Sequence, residues 1–279
     1  MNTNSPDLKV RHVLLAGLTA STLLISQGVG SAATLIYQGG AIENPANWHD
    51  SVTGMSTGSL PGAGDTGTVS TTSTTGNFGG SPSNTISGFD NTTINHTSGT
   101  LTGNFNWANP GSIYNLQGGN IAATSNFNAN SGSVFNLSAG TLSINGDVIV
   151  NSTSGGINLS GTATIETTGQ FDLRLNQNGA FFSINPNWTG SLIGPDEADL
   201  AAWSFELVDS AAGNGDSTDN SGTRFIDVGG TKITAANFGD YFQTTALVGG
   251  GTSLSLIPEP SVALLGGLGL FGLLRRRRD

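Results

Sequence analysis

Alternating apolar and polar residues recur in the middle of the chain at a period close to 21 residues. One apolar series, spaced by 20, 21 and 22 residues, consists of Ile94, Tyr114, Phe135 and Ile157. A second series, spaced by 22, 21 and 23 residues, consists of Phe105, Phe127, Val148 and Phe171. Two series in step at one period predict stacked coils, because alternation at period two turns one face of each strand inward.

The repeat therefore predicts an all-β fold. We expect a right-handed parallel β-solenoid, or β-helix, over residues 34–178, with a short antiparallel cap over 179–257. The two apolar series form its inner ladders, so each coil buries its apolar face against its neighbours. The Asn after each residue of the first series then faces outward in a row that can hydrogen-bond along itself. This row consists of Asn95, Asn115, Asn136 and Asn158.

The sequence before the repeat contains a large aromatic residue between two turns. Trp48 follows the turn at 44–47, and the Pro-Gly-x-Gly-Asp turn at 61–65 precedes a further strand. This arrangement resembles the first coils of exported bacterial β-helix proteins. We interpret Trp48 as a cap over the open end of the stacked core. The alternative interpretation is a platform for sugar stacking.

Both ends of the chain have the composition of sorting segments. Residues 1–33 have basic Lys9 and Arg11, then an apolar stretch, and end in small residues, which predicts a signal peptide cleaved after Ala33. At the other end, residues 261–274 carry no charge and precede four arginines, Arg275, Arg276, Arg277 and Arg278. This stretch is shorter than the ~20 residues of a relaxed transmembrane helix, but snorkelling arginines lengthen it. It predicts a C-terminal transmembrane helix with its basic end in the cytoplasm.

The C-terminal order of motifs carries a family resemblance. Pro258, Glu259 and Pro260, then a glycine-rich apolar helix, then the four arginines together resemble the PEP-CTERM sorting signal of Gram-negative bacteria. The resemblance covers residues 258–279 and implies recognition by an exosortase, a membrane-embedded cysteine transpeptidase that would cut near the motif. It also implies export across the inner membrane and anchoring there, followed by a final place on the cell surface or outside the cell.

Composition narrows the classes of function. The chain has no cysteine, which excludes disulfides and thiolate chemistry, and Gly accounts for 42 of 279 residues. Residues 34–257 contain three basic and sixteen acidic side chains, a formal charge of −13. Such a surface repels nucleic acid, so no nucleic-acid partner is expected. No cofactor is expected either.

Candidate chemistry is sparse. The ionisable residues of the repeat, Asp90, His96, Asp147 and Glu166, fall at different phases and form none of the carboxylate pairs that glycoside hydrolysis needs. His49 beside Asp50 is either a metal or acid–base pair or an exposed turn. Asp216, Asn220 and Asp227, with Thr218, have part of the spacing of a calcium loop, although a solvated hairpin loop also fits. We interpret Asp196, Glu197 and Asp199 as helix-start charge.

The region after the repeat predicts mixed elements. A short helix is expected over Pro195–Ala202, and the alternation over Trp203–Val208 predicts a strand. The function that these features predict is that of an exported, non-enzymatic surface or extracellular-matrix protein. One alternative is a module that binds extracellular polysaccharide through Trp107, Trp188 or Tyr241. The other is a β-helix carbohydrate-active enzyme.

Overall fold

The chain folds as a parallel β-solenoid. The computed structural model describes residues 32–71, 86–209 and 224–258. The chain divides into a unit Met1–Ala33 and a unit that begins at Thr34, and the following account concerns the second. This unit is all-β, with a solenoid of about four turns, as the repeat predicts. Its strand pairings form three sheets, one along each side of the coil, whereas its right-handed sense stays a prediction.

The first sheet runs the length of the described solenoid. Its parallel strands are, in spatial order, β1 (Thr34–Tyr37), β3 (Thr66–Val69), β4 (Thr93–His96), the start of β6 (Ile113–Asn130), the start of β7 (Val134–Ile144), β9 (Gly156–Leu159), β12 (Phe181–Ile184) and β14 (Phe225–Val228). An antiparallel strand lies at each end, β2 (Trp48–Asp50) beside β1 and β15 (Thr231–Lys232) beside β14.

The other two sheets share strands with the first. The second sheet contains the start of β5 (Thr100–Trp107), the middle of β6, the end of β7, β10 (Thr164–Thr167), β13 (Leu192–Gly194) and the antiparallel pair β17 (Thr252–Leu256) and β16 (Phe242–Ala246). The third sheet contains the ends of β5 and β6, then β8 (Val148–Asn151) and β11 (Leu173–Leu175). Register shifts, such as the one between Gly103 and Phe105, turn the long strands around the corners.

The inner ladders follow the two apolar series with one correction. Ile94, Tyr114, Phe135 and Ile157 pair in that order and are fully buried, which confirms the first series. In the second series Phe105 pairs with Phe127 and Phe127 with Val148, but Val148 pairs with Leu173 rather than with Phe171. The corner before β11 is two residues longer than the corner before β8. Phe171 therefore lies in that corner, although it is still buried.

Aromatic rings fill the centre of the coils. Phe105 stacks on Phe127 with centroids 5.0 Å apart, and Tyr114 stacks on Phe135 at 5.5 Å. The two stacks meet edge to face, with 4.9 Å between the centroids of Phe127 and Phe135. Such pairs contribute about 0.5–1.5 kcal/mol each beyond the area that they bury. The stability of one coil therefore depends on the coils on either side of it.

The N-terminal end of the solenoid is closed around Trp48. Its ring is fully buried and contacts Tyr37 and Phe89, at centroid distances of 5.5 and 5.8 Å. Its indole N–H donates to the carbonyl oxygen of Ile42 at 2.7 Å, after which the 3₁₀ turn Pro45–Asn47 leads into β2. This burial fits the cap interpretation and excludes sugar stacking on Trp48.

The C-terminal cap contains the predicted antiparallel strands, but its helix differs from the prediction. The helix α1 covers Leu200–Ser204 and continues into a π-helical turn, Phe205–Asp209, whereas α2 covers Phe238–Tyr241. The strand expected over Trp203–Val208 is therefore wrong. Helical spacing places buried Trp203 and Leu207 on one face, where Trp203 packs against Phe171 with centroids 5.1 Å apart.

Both predicted sorting segments lie almost entirely outside the described residues. The predicted signal peptide would end at Ala33, which precedes β1, and the predicted membrane helix 261–274 follows the last described residue, Pro258. Within 32–71, 86–209 and 224–258, no helix has the length and apolar character needed to span a membrane.

Candidate functional site

The outer face of the first sheet carries a continuous ladder of Asn side chains, as the sequence predicts. The amide Nδ2 of each Asn after the first donates to the Oδ1 of its neighbour one coil earlier. The distance is 2.8 Å from Asn115 to Asn95, from Asn136 to Asn115 and from Asn158 to Asn136. All four side chains are half-buried. A polar row of this kind is fixed in position by the coils beneath it.

The same row continues into the cap with different residues. Ser183 follows Asn158 in register and Asp227 follows Ser183, whose hydroxyl donates to the Asp227 carboxylate. Asp227 also accepts from the backbone N–H of Gly230 at 2.8 Å. A shallow groove of about 420 Å³ lies along this part of the row, lined among others by Asn136, Asn158, Ser183 and Asp227.

A second, apolar row lies beside the Asn ladder on the same outer face. Its members, in order along the sheet, are Ile113, Val134, Gly156, Phe181 and Phe225. Phe181 and Phe225 are half-buried and stack with centroids 6.1 Å apart and ring planes 19° apart. These surface rings were not predicted from the sequence, although strand alternation alone places Phe181 outside and Phe182 inside.

The aromatic residues predicted to stack on sugars are placed differently. Trp107 is fully buried and Trp188 is 2% exposed, so neither offers a face to a ligand. Their indole N–H groups donate to Ser112 Oγ and to the Ala163 carbonyl oxygen, both at 2.7 Å. The prediction is wrong for both because each ring fills the interior of a coil. Tyr241 is half-buried and lines a cleft of about 420 Å³ with Pro186 and Pro258.

The calcium candidates are only partly within the described residues. Asp216, Thr218 and Asn220 lie outside them, whereas Asp227 lies in β14 and is 8% exposed. Its carboxylate already accepts the two hydrogen bonds from Ser183 and Gly230. In the described part of the chain, no three His, Asp or Glu side chains are grouped closely enough to hold a metal ion.

The remaining polar candidates have local structural roles. His49 Nδ1 lies 2.9 Å from the Gly54 carbonyl oxygen. Asp50 accepts from the backbone N–H groups of Thr53 and Val52, which lower the pKa of its carboxyl, with the Thr53 contact the larger cause. These contacts define the turn after β2, but His49 and Asp50 themselves are half-buried in that strand, so the exposed-turn interpretation is only partly right.

The acidic cluster before α1 divides into two roles. Asp199 is the N-cap of the helix and accepts from the N–H groups of Ala201 and Ala202, as predicted. Glu197 is only 2% exposed and accepts from the backbone N–H of Phe171 at 2.9 Å. Burial raises the pKa of its carboxyl. The helix-start interpretation is therefore wrong for Glu197, which instead attaches the cap to the last coil.

The third sheet carries a charged cluster that was not predicted from the sequence. Asp147 and Asp172 are neighbours on adjacent coils, and Nη2 of Arg174 contacts both, at 3.0 and 2.7 Å. Burial raises the pKa of the Asp147 carboxyl, as does Asp172, against the effect of Arg174. The longer corner before β11 concealed this pairing. Because the guanidinium lies against both carboxylates, the cluster links two coils rather than presenting a free acid–base pair.

The fold and the outer face of the first sheet together define the class of protein. It is a parallel β-solenoid with a cap of helices and strands and with an ordered ladder of polar side chains on one outer side. Comparison of the chain with protein-family models, with curated proteins and with solved structures gives no match.

Proposed function

We propose that this is an exported, non-enzymatic protein of the cell surface or extracellular matrix, sorted through its PEP-CTERM-like tail and processed by an exosortase-type enzyme. The observation that carries the proposal is that the last described strand finishes just before the tail motif, whose first residue is exposed. β17, the last strand of the described residues, ends at Leu256, and Ile257 and Pro258 are exposed. A membrane enzyme that reads the motif can therefore approach its first residue without unfolding the cap.

The construction of the solenoid suits a scaffold that works outside the cell. The chain has no cysteine, so its folding does not depend on the redox state of the compartment. Stacked aromatic rings and inter-coil hydrogen bonds hold the described coils together instead. Few of the residues are charged, and most of those are acidic. This composition is consistent with a soluble body in a matrix of uncharged polymers.

The intact mass of the protein, measured in each cell fraction of its native host, tests the proposal. We expect a chain that begins at Thr34, ends between Pro258 and Pro260, and is found in the envelope or the medium. A matched variant in which Arg275–Arg278 are replaced by glutamine should accumulate with its tail uncut. A wild-type mass that retains Arg275–Arg278 at the cell surface would exclude processing, and a mass that begins at Met1 in the cytosol would exclude export.

A further inference from the structure

The Asn ladder has unused hydrogen-bonding capacity. A primary amide has two N–H donors and an oxygen with two lone pairs. Within the ladder, Asn115 and Asn136 each donate one N–H backward and accept one hydrogen bond from the next coil. One donor and one acceptor per amide are left for a ligand, and they repeat at the strand spacing of about 4.8 Å. Hydroxyl groups, which both donate and accept, match such an array.

The charge around the ladder favours a neutral ligand. From β4 to β12 both outer rows of the first sheet consist of uncharged side chains, from Thr93 and Asn95 to Phe181 and Ser183. The surrounding chain is acidic, with sixteen acidic and three basic residues over 34–257. An anionic ligand would be repelled by this field and would find no cation in the two rows to neutralise it.

The neighbouring apolar row adds a second kind of contact. Phe181 lies over Gly156, since a Cβ added at Gly156 would come within 2.6 Å of the Phe181 ring. The glycine thus lets the ring approach the sheet closely, with Phe225 stacked nearly parallel to it. Sugar rings have an apolar C–H face and a polar edge of hydroxyls, so they can contact an aromatic face and an amide row together.

We propose that the outer face of the first sheet binds a neutral polysaccharide that runs along the solenoid axis. The Asn row from Asn95 to Asn158 bonds its hydroxyls, and the pair Phe181 and Phe225 packs against a sugar ring. The groove beside Asn136, Asn158 and Ser183, about 420 Å³ in volume, receives groups that project from the chain. This inference goes beyond the proposed function, because it holds whether or not the tail is processed.

Affinity electrophoresis of the full chain tests this site. Native gels would contain one soluble polysaccharide each: hydroxyethyl cellulose, mixed-linkage β-glucan, galactomannan or dextran as neutral probes, and alginate or polygalacturonate as anionic ones. We expect retardation by at least one neutral polymer and by neither anionic one. Asn136→Ala should weaken the retardation about tenfold, since it removes two hydrogen-bonding groups from the centre of the row.

The matched control is Thr141→Ala, which changes an outward side chain of the same strand, β7, on the second sheet. It should leave binding unchanged. Phe181→Leu should weaken binding, with Ile193→Leu, an outward residue of the second sheet, as its control. The melting temperatures of all variants distinguish a loss of binding from a loss of folding. If Asn136→Ala proves unstable, Asn136→Thr replaces it in the binding test.

Three outcomes would overturn the proposal. One is the absence of retardation by every neutral polymer. Another is an equal loss of binding in Asn136→Ala and Thr141→Ala at unchanged melting temperature. The third is a self-associating face, seen in sedimentation as a dimer that Asn136→Ala dissociates and that no polysaccharide displaces.

Discussion

The repeat region and the C-terminal cap bury their apolar residues in different ways. In the repeat, each inner side chain packs on the equivalent residue of the next coil, as Phe135 does between Tyr114 and Ile157. In the cap, contacts join distant and dissimilar segments. Trp203 Nε1 donates to Thr252 Oγ1 at 2.8 Å across 49 residues, and that hydroxyl donates to the Glu197 carbonyl oxygen. The loss of stability caused by a core substitution should therefore extend to neighbouring coils in the repeat but remain local in the cap.

The largest expected effect comes from removing one ring in each region. Phe135→Ala should lower the free energy of unfolding by about 3–5 kcal/mol, because it empties a site in the centre of the aromatic stack. Trp203→Ala should lower the free energy of unfolding of the cap by a similar amount. In hydrogen exchange, Phe135→Ala should lose protection in β6, β7 and β9, whereas Trp203→Ala should lose it in β13 and β17. If Phe135→Ala lost exchange protection in β7 alone, the coils would not be coupled as we expect.

A buried histidine provides the next largest effect, and it depends on pH. His96 is fully buried in the ladder position that Leu116 and Leu137 occupy in the next coils, and its Nδ1 lies 3.1 Å from the Tyr114 hydroxyl. Burial lowers the pKa of His96 to about 4. The unfolded chain binds this proton near pH 6.5, so stability should fall by about 3 kcal/mol as the pH drops from about 6.5 to about 4.

His96→Leu should remove this part of the slope of unfolding free energy against pH, measured by denaturant titration at several pH values. Tyr114→Phe removes the hydroxyl but keeps the imidazole, so it should retain the slope. An unchanged slope in His96→Leu would mean that acid destabilisation comes from carboxylates alone.

Two glycines extend the comparison between repeat and cap to a smaller effect. Gly140 in the repeat and Gly230 in the cap have φ values of +84° and +82°, so alanine at either position is strained by about 1–2 kcal/mol. At Gly140 a Cβ would also lie 2.1 Å from the carbonyl oxygen of Gly119, in the coil before, whereas the space around Gly230 is open. Gly140→Ala should therefore cost about 1–3 kcal/mol more than Gly230→Ala in denaturant unfolding. Equal losses would show that the coils separate readily at this corner.

The difference in packing between the repeat and the cap also explains how much of the fold could be predicted from the sequence. In the repeat, a residue's neighbour lies about 21 positions away, so the periodicity of Tyr114 and Phe135 is enough to find the sheet, the inner ladder and the Asn row. The prediction failed where the spacing changed, at the longer corner that pairs Leu173 with Val148 and brings Asp172 beside Asp147. In the cap, the alternation over 203–208 predicted a strand, whereas the contact between Trp203 and Phe171 that favours the helix comes from another segment.

The charged cluster on the third sheet gives the smallest effect and tests whether charge also couples coils. Arg174→Met keeps an unbranched apolar stem but removes the guanidinium and leaves Asp147 and Asp172 facing each other, so we expect a loss of about 1 kcal/mol at pH 7 in denaturant unfolding. Arg174 opposes the burial that raises the pKa of Asp147, so its removal should raise that pKa further. Protonation then relieves the repulsion, and the difference between variant and wild type should shrink as the pH falls. Arg174→Met combined with Asp147→Asn should regain the stability lost at pH 7.

The cap provides the control, because Asp199→Ala removes an N-cap within one helix and should cost about 1 kcal/mol without lowering exchange protection in β8 or β11. Arg174→Met should lower it in both strands, and a loss limited to β11 would mean that the cluster does not join the two coils.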